Sequence, residues 1–290
     1  MNCTSPSYDA LLRGRDIVDQ SVEDRFLPRT NIEIARKPAF RRYPRHIIFD
    51  FDGTLGLVRA GWTEIMTPLF VDELLATGTG ESREILETQV RTFIMQLTGK
   101  QTISQMLRLA EEVYKRNGKR IDPWEVKHIY DDRITEYVGK RREAVCSGQM
   151  SPDTMLVPYS IELLEELQRR DVVLHIVSGT ELGLVREEVH WLGLERYFGD
   201  RIHGAPDGRS EYSKSAAVQW ILQEYAADGP AIVGFGDGYD EIETIARLGG
   251  LTVAVASDES NPSGQPDTWK RRHLISAGAH VVVPDYRDWP

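Results

Sequence analysis

The chain has 290 residues, 41% of them hydrophobic and 28% charged; this excludes a wholly disordered or membrane-embedded chain and fits a core domain with room for an insert. Its formal net charge of −10 excludes a broad nucleic-acid footprint, which needs Lys and Arg in excess, but admits a small anionic ligand at a local positive site. Cys3 and Cys146 are the only cysteines, so neither a disulfide framework nor a cysteine metal site is expected.

The N-terminal stretch MNCTSPSYDALLRGRD lacks the apolar run that a secretory signal needs, and no segment reaches membrane-span length. A cytoplasmic protein without membrane contact is the expectation. Residues 1–44 are polar and broken by Pro28, Pro38 and Pro44, which predicts an arm. Its basic cluster of Arg36, Lys37, Arg41 and Arg42, continued by Arg45, reads as a solvated face.

At His46 the pattern changes. The run HIIFDF ends in acidic residues and Gly53, which predicts a buried strand leaving a sheet at a turn. Apolar runs at 172–177, 231–235, 251–255 and 280–283 predict further strands. Ile161, Leu163, Leu164 and Leu167 recur at helical spacing among acidic residues, predicting a helix over 160–170; others fit 213–226 and the stretch after Gly238. Strands alternating with helices predict an α/β fold with a doubly wound parallel sheet.

Between the first strand and residue 157 the patterns are helical, at about 62–77, 81–97, 102–117 and 123–139, with 140–146 as a further short piece. They predict an α-helical cap domain over 61–150 inserted into a core of 45–60 and 151–290. The polar segment 257–268 reads as a surface connection.

Chemistry concentrates at strand ends. Asp50 and Asp52 alternate around Phe51 at the end of the first strand, where open α/β sheets bind ligands. Ser178 in IVSGT, Lys214 in YSKSAA, and Asp237, Asp240 and Glu241 in GFGDGYDE follow later strands or open later helices. One such residue could be incidental; the ordered set is not.

With these four motifs in this order, residues 46–256 resemble the phosphatase members of the haloacid dehalogenase superfamily, in the branch with a helical cap after the first motif. The resemblance implies a Rossmann-like core and a Mg²⁺-dependent phosphatase for a small phosphorylated metabolite. It implies Asp50 as the nucleophile that becomes phosphorylated, and Asp52 as general acid and base. Ser178 and Lys214 would hold phosphoryl oxygens, with Gly53, Thr54 and Gly179 lining the same site. Magnesium would be held by Asp50, Asp237, a main-chain carbonyl at Asp52, and Asp240 or Glu241.

These types suit the chemistry. A carboxylate nucleophile splits phosphoryl transfer into two displacements, and Mg²⁺ takes oxygen ligands. Main-chain N–H groups from Phe51 to Thr54 are expected to add hydrogen bonds. Where many relatives carry GDGxND or GDxxxD, this chain has acids at both 240 and 241. In the insert, Lys100 within Thr98–Thr102 is the candidate substrate-binding cation. A phosphosugar mutase would use the same aspartates, and a phosphosugar-binding protein without turnover is the reading from another class.

Overall fold

A computed structural model of the chain describes residues 25–37, 43–206 and 212–289. Cys3, Arg41 and Arg42 lie outside the described residues, as does most of the expected arm. The described strands are β1 (Glu33–Ile34), β2 (His46–Phe49), β3 (Val173–Glu181), β4 (Ile202–Ala205), β5 (Ile232–Gly236), β6 (Leu251–Val255) and β7 (Val281–Val283). The described α-helices are α1 (Trp62–Leu75), α2 (Arg83–Gln96), α3 (Ile103–Lys115), α4 (Pro123–Cys146), α5 (Ser160–Arg169), α6 (Leu182–Trp191), α7 (Glu195–Phe198), α8 (Lys214–Glu224), α9 (Tyr239–Arg247) and α10 (Thr268–Ala277). None of them is long and apolar enough to cross a membrane.

The seven strands form one sheet in the order β1-β7-β6-β5-β2-β3-β4. Strands β2 to β7 pair in parallel, and β1 runs antiparallel to β7. From central β2 the chain winds out through β3 and β4, then starts again on the other side with β5. That reversal leaves a crevice at the carboxyl end of β2, the usual ligand position in doubly wound sheets.

Burial on both faces explains why these strands read as apolar runs. Ile48 packs with Val177, Val218, Ile221, Ile232 and Ile245, joining β2, β3 and β5 to α8 and α9. Its neighbour Phe49 projects to the other face, where its ring stacks on Phe235 at 4.7 Å and meets Phe198 edge-on at 6.2 Å.

The chain divides into two compact units, one comprising the sheet, up to Leu57 and from Pro152 onward, the other Val58–Ser151. The second unit holds α1 to α4 around a core that includes Phe70, Leu74, Val90, Ile94, Met106, Leu109 and Tyr130. Sequence reading divides 123–146 in two, whereas α4 is continuous. Asp122 caps it, accepting from Trp124 N at 2.9 Å, and Pro123 begins it. Gly139 alone is too weak a break to stop it.

Part of the expected arm belongs to the sheet. Glu33 is buried and forms a two-pronged ion pair with Arg271 at 2.5 and 2.6 Å, and Ala35 N donates to His280 O at 2.9 Å. A two-residue strand is too short to show an alternating pattern, so only these long-range partners reveal it.

Histidines cluster on β2, β3 and β4. His46 Nδ1 lies 3.2 Å from His175 Nε2, the rings of His175 and His203 are 6.1 Å apart, and Tyr225 packs on His46 and His175 at 5.0 and 5.1 Å. Burial, reinforced by His46, His203 and Arg201, lowers the pKa of His175 from the ordinary 6.5 to about 3. The unfolded chain therefore binds more protons than the folded one between pH 6.5 and about 3, and stability falls as pH falls through that window. One such histidine contributes at most about 1.4 kcal/mol per pH unit. Urea unfolding should show a midpoint that drops below pH 6.5, and His175→Leu should flatten that drop relative to wild type; equal slopes in the two proteins would refute the assignment.

Candidate active site

Asp50 is the first residue after β2, and Asp237 the first after β5. These strands are parallel neighbours with Phe49 opposite Phe235, so Asp50 falls beside Gly236 and Asp237 one residue beyond, both at the same end of the sheet. Lys214 opens α8, whose start is capped by Ser213 accepting from Ala216 N at 3.0 Å. Its Nζ lies 2.8 Å from Asp50 Oδ2 and 3.4 Å from Glu241 Oε2. All four side chains are buried.

Glu241 arrives by way of the helix start. Gly238 is the N-cap of α9, and Glu241, three residues on, turns back so that its Oε1 accepts from Gly238 N at 2.6 Å. Gly236 leaves the room: a Cβ there would meet Glu241 Cγ at 2.6 Å. One oxygen from each of Asp50, Asp237 and Glu241 lies within 4.8 Å of the others. Of the two acids after Asp237, Glu241 is the one that joins this group. Asp240, one position earlier on α9, projects about 100° around the helix from Glu241 and lies outside this group.

Burial raises the pKa of Asp50 well above the usual carboxylate range; Lys214 pulls it down, while Glu241 and Asp237 push it further up. Burial alone would lower the Lys214 ammonium, but Asp50 and Glu241 hold it above the ordinary lysine range. Lys214 thus lies in salt-bridge contact with Asp50 and Glu241.

The residues present fit a magnesium ion. The donors are hard carboxylate oxygens, as Mg²⁺ prefers, and Glu241 Oε2 is buried without a hydrogen-bond partner. In the ion-paired set, four carboxylates (Asp50, Glu241, Asp237, Glu259) face two ammonium groups (Lys214, Lys270). A divalent cation would offset the excess of two negative charges.

The turn after β2 is tightly specified. Gly53 has φ 72°, and a Cβ on it would lie 2.2 Å from Asp237 Oδ2, so only glycine fits. Within the turn, Phe51 N donates to Asp50 Oδ1 at 2.8 Å, Gly53 N to Gly56 O at 2.9 Å and Thr54 N to Phe51 O at 3.3 Å. The Thr54 hydroxyl is buried without a hydrogen-bond partner.

Asp52 is held from β3. Thr180 Oγ1 donates to Asp52 Oδ2 at 2.9 Å, and Thr180 N donates to Ser178 Oγ at 3.1 Å. The β3–β4 register shifts between Val177 and Glu181, so Ser178, Gly179 and Thr180 occupy an irregular stretch of the kind that re-aims side chains beside active sites. The Asp52 side chain is not part of the three-carboxylate group; its main-chain carbonyl is the atom on which the metal expectation for this residue rests. Lys100 belongs to the helical unit, exposed in the turn between α2 and α3.

Sequence reading missed several participants. Thr180 was recoverable, since it lies two residues from Ser178 in the same IVSGT motif. Tyr212, two residues before Lys214, has a buried hydroxyl without a partner, and burial raises its pKa to about 12. Lys270, Ser257 and Glu259 were not recoverable. The segment 257–268, expected as a surface connection, sends Ser257 Oγ to Gly53 O at 2.7 Å and Glu259 Oε1 to Lys270 Nζ at 2.6 Å. Tyr286 donates to Thr54 O at 2.7 Å from beyond β7.

Solved structures share this fold. A predicted phosphoglycolate phosphatase from Haemophilus somnus superposes with TM-score 0.54 at 16% identity, covering 84% of this chain and 96% of its own. A haloacid dehalogenase-like protein from Agrobacterium tumefaciens gives 0.55 at 16% over 85% and 96%, and the β-phosphoglucomutase of Clostridium difficile 0.55 at 12% over 85% and 93%. Among curated proteins there is no match. The family model for haloacid dehalogenase-like hydrolases matches residues 44–249, a span that contains every carboxylate of the site except Glu259, and the chain belongs to that family.

Proposed function

We propose that the chain is a Mg²⁺-dependent phosphatase that hydrolyses a small phosphomonoester through a phosphoryl-aspartate on Asp50. The observation that carries this reading is the buried group of Asp50, Lys214, Asp237 and Glu241 at the carboxyl end of the central strand, with Asp52 two residues on. When bound by Asp50, Asp237 and Glu241, Mg²⁺ would supply positive charge that offsets repulsion between Asp50 and the phosphoryl oxygens.

Asp50 attacks phosphorus as the bond to the leaving oxygen breaks, and Asp52 gives that oxygen a proton. Thr180 donates to Asp52 Oδ2, which assigns the exchanged proton to Oδ1. In the second displacement Asp52 takes a proton from water, water oxygen bonds to phosphorus, and the bond to Asp50 breaks. Lys214 neutralises charge on Asp50 before attack and on phosphoryl oxygens during it. The hydroxyls of Thr54 and Ser178 serve as hydrogen-bond donors to those oxygens.

The test is phosphate release from a panel of sugar phosphates, phosphoglycolate and nucleoside monophosphates, in Mg²⁺ and in EDTA. At least one member should release phosphate in Mg²⁺ and none in EDTA. A well-folded protein inert toward the whole panel in Mg²⁺ would sink the hydrolytic reading.

A further inference from the structure

Lys270 occupies the third position of α10, where a positive charge opposes the helix dipole, and it is buried. Burying an ammonium is costly unless it is paired. Its Nζ lies 2.8 Å from Asp237 Oδ2 and 2.6 Å from Glu259 Oε1, and it donates to Ser257 Oγ at 3.3 Å. Ser257 Oγ in turn donates to Gly53 O at 2.7 Å. Gly53 leaves room for the same Asp237 oxygen that Lys270 holds, since a Cβ there would come within 2.2 Å of it. The catalytic turn, the residue after β5, the loop after β6 and the start of α10 are thereby joined.

We propose that Lys270 is a positioning residue that fixes the Asp237 carboxylate, setting its orientation toward Mg²⁺ before the ion arrives. This inference rests on the magnesium reading above. Mg²⁺ demands near-ideal octahedral geometry, so a carboxylate free to turn is a poorer ligand than a clamped one. Partners that hold metal ligands typically matter about 10–100-fold in affinity.

Calorimetric titration of MgCl₂ into the full chain, with and without Lys270→Met, tests this directly. The variant should bind Mg²⁺ about tenfold more weakly, and the Mg²⁺ concentration for half-maximal activity should rise while KM for substrate at saturating Mg²⁺ stays unchanged. Removal of a positive charge alone would tighten cation binding, so weaker binding reports lost orientation. Lys270→Arg keeps the positive charge but changes the geometry of the clamp on Asp237, and should weaken binding in the same direction by less. If Lys270→Met does not fold, Lys270→Arg decides in the same way. Binding as tight as wild type, or tighter, overturns the inference alone. Wild type that binds no Mg²⁺ overturns the magnesium reading and this inference together.

Discussion

Asp50→Asn should lower phosphate release by on the order of 10⁴-fold or more, the scale of loss when an enzyme's nucleophile is removed. The amide keeps the shape of the carboxylate but cannot attack phosphorus. Its oxygen can still accept from Lys214 Nζ, 2.8 Å away, while its NH₂ then faces the Phe51 N–H that Asp50 Oδ1 accepts at 2.8 Å. That mismatch costs about 1–3 kcal/mol. Loss of one negative charge beside Asp237 and Glu241 acts in the opposite direction, so the variant should unfold near the wild-type urea concentration. Steady-state rates on the best substrate, with urea midpoints as control, check both halves. Activity retained at even a tenth of wild type in a clean preparation would show that Asp50 is not the nucleophile.

Lys214→Met should have the largest effect on stability. It removes the cation 2.8 Å from Asp50 and 3.4 Å from Glu241 and leaves both carboxylates buried beside Asp237. Breaking a buried pair on one side typically costs about 3–5 kcal/mol. Mg²⁺ should restore part of this loss by supplying positive charge to the same oxygens, whereas EDTA should expose all of it. Urea unfolding in the two buffers makes the comparison. A variant as stable as wild type in EDTA would mean that Asp50 and Glu241 do not depend on Lys214 for their charge. Turnover should fall about 10²–10³-fold, the usual range for removing one group that stabilises transition-state charge.

Legibility in the sequence followed the length scale of the cause. The runs at 46–49, 232–236 and 251–255 stood out because parallel strands bury both faces. In contrast, Ile202–Ala205 holds a histidine and a glycine in four residues, and Thr268–Ala277 carries Lys270, Arg271 and Arg272 in succession from its third residue, so neither displays a period. Asp50, Asp52, Ser178, Lys214 and Asp237 stood out because each sits at a strand end or helix start within a recognisable motif. Only the turn of α9 shows that Glu241, and not Asp240, lies with Asp50 and Asp237. Lys270 looks like any member of a basic run in sequence; only the fold shows that it is buried among acids while its neighbour Arg271 reaches back to Glu33.

The span shared with the family runs from 44 to 249 and leaves out β1, β6, β7 and α10. Those elements are part of one continuous sheet with the rest. A fragment trimmed to the shared span would therefore end at β5 and bare that strand's main-chain donors and acceptors to neighbouring molecules, an invitation to edge-on association. Among the described residues, the outermost strand on that side is β1, two residues long and running against its neighbour, with Phe26 forming a single bridge to its Glu33. So short a rim gives another molecule little backbone to pair with, and the ion pair at Glu33 locks it in place.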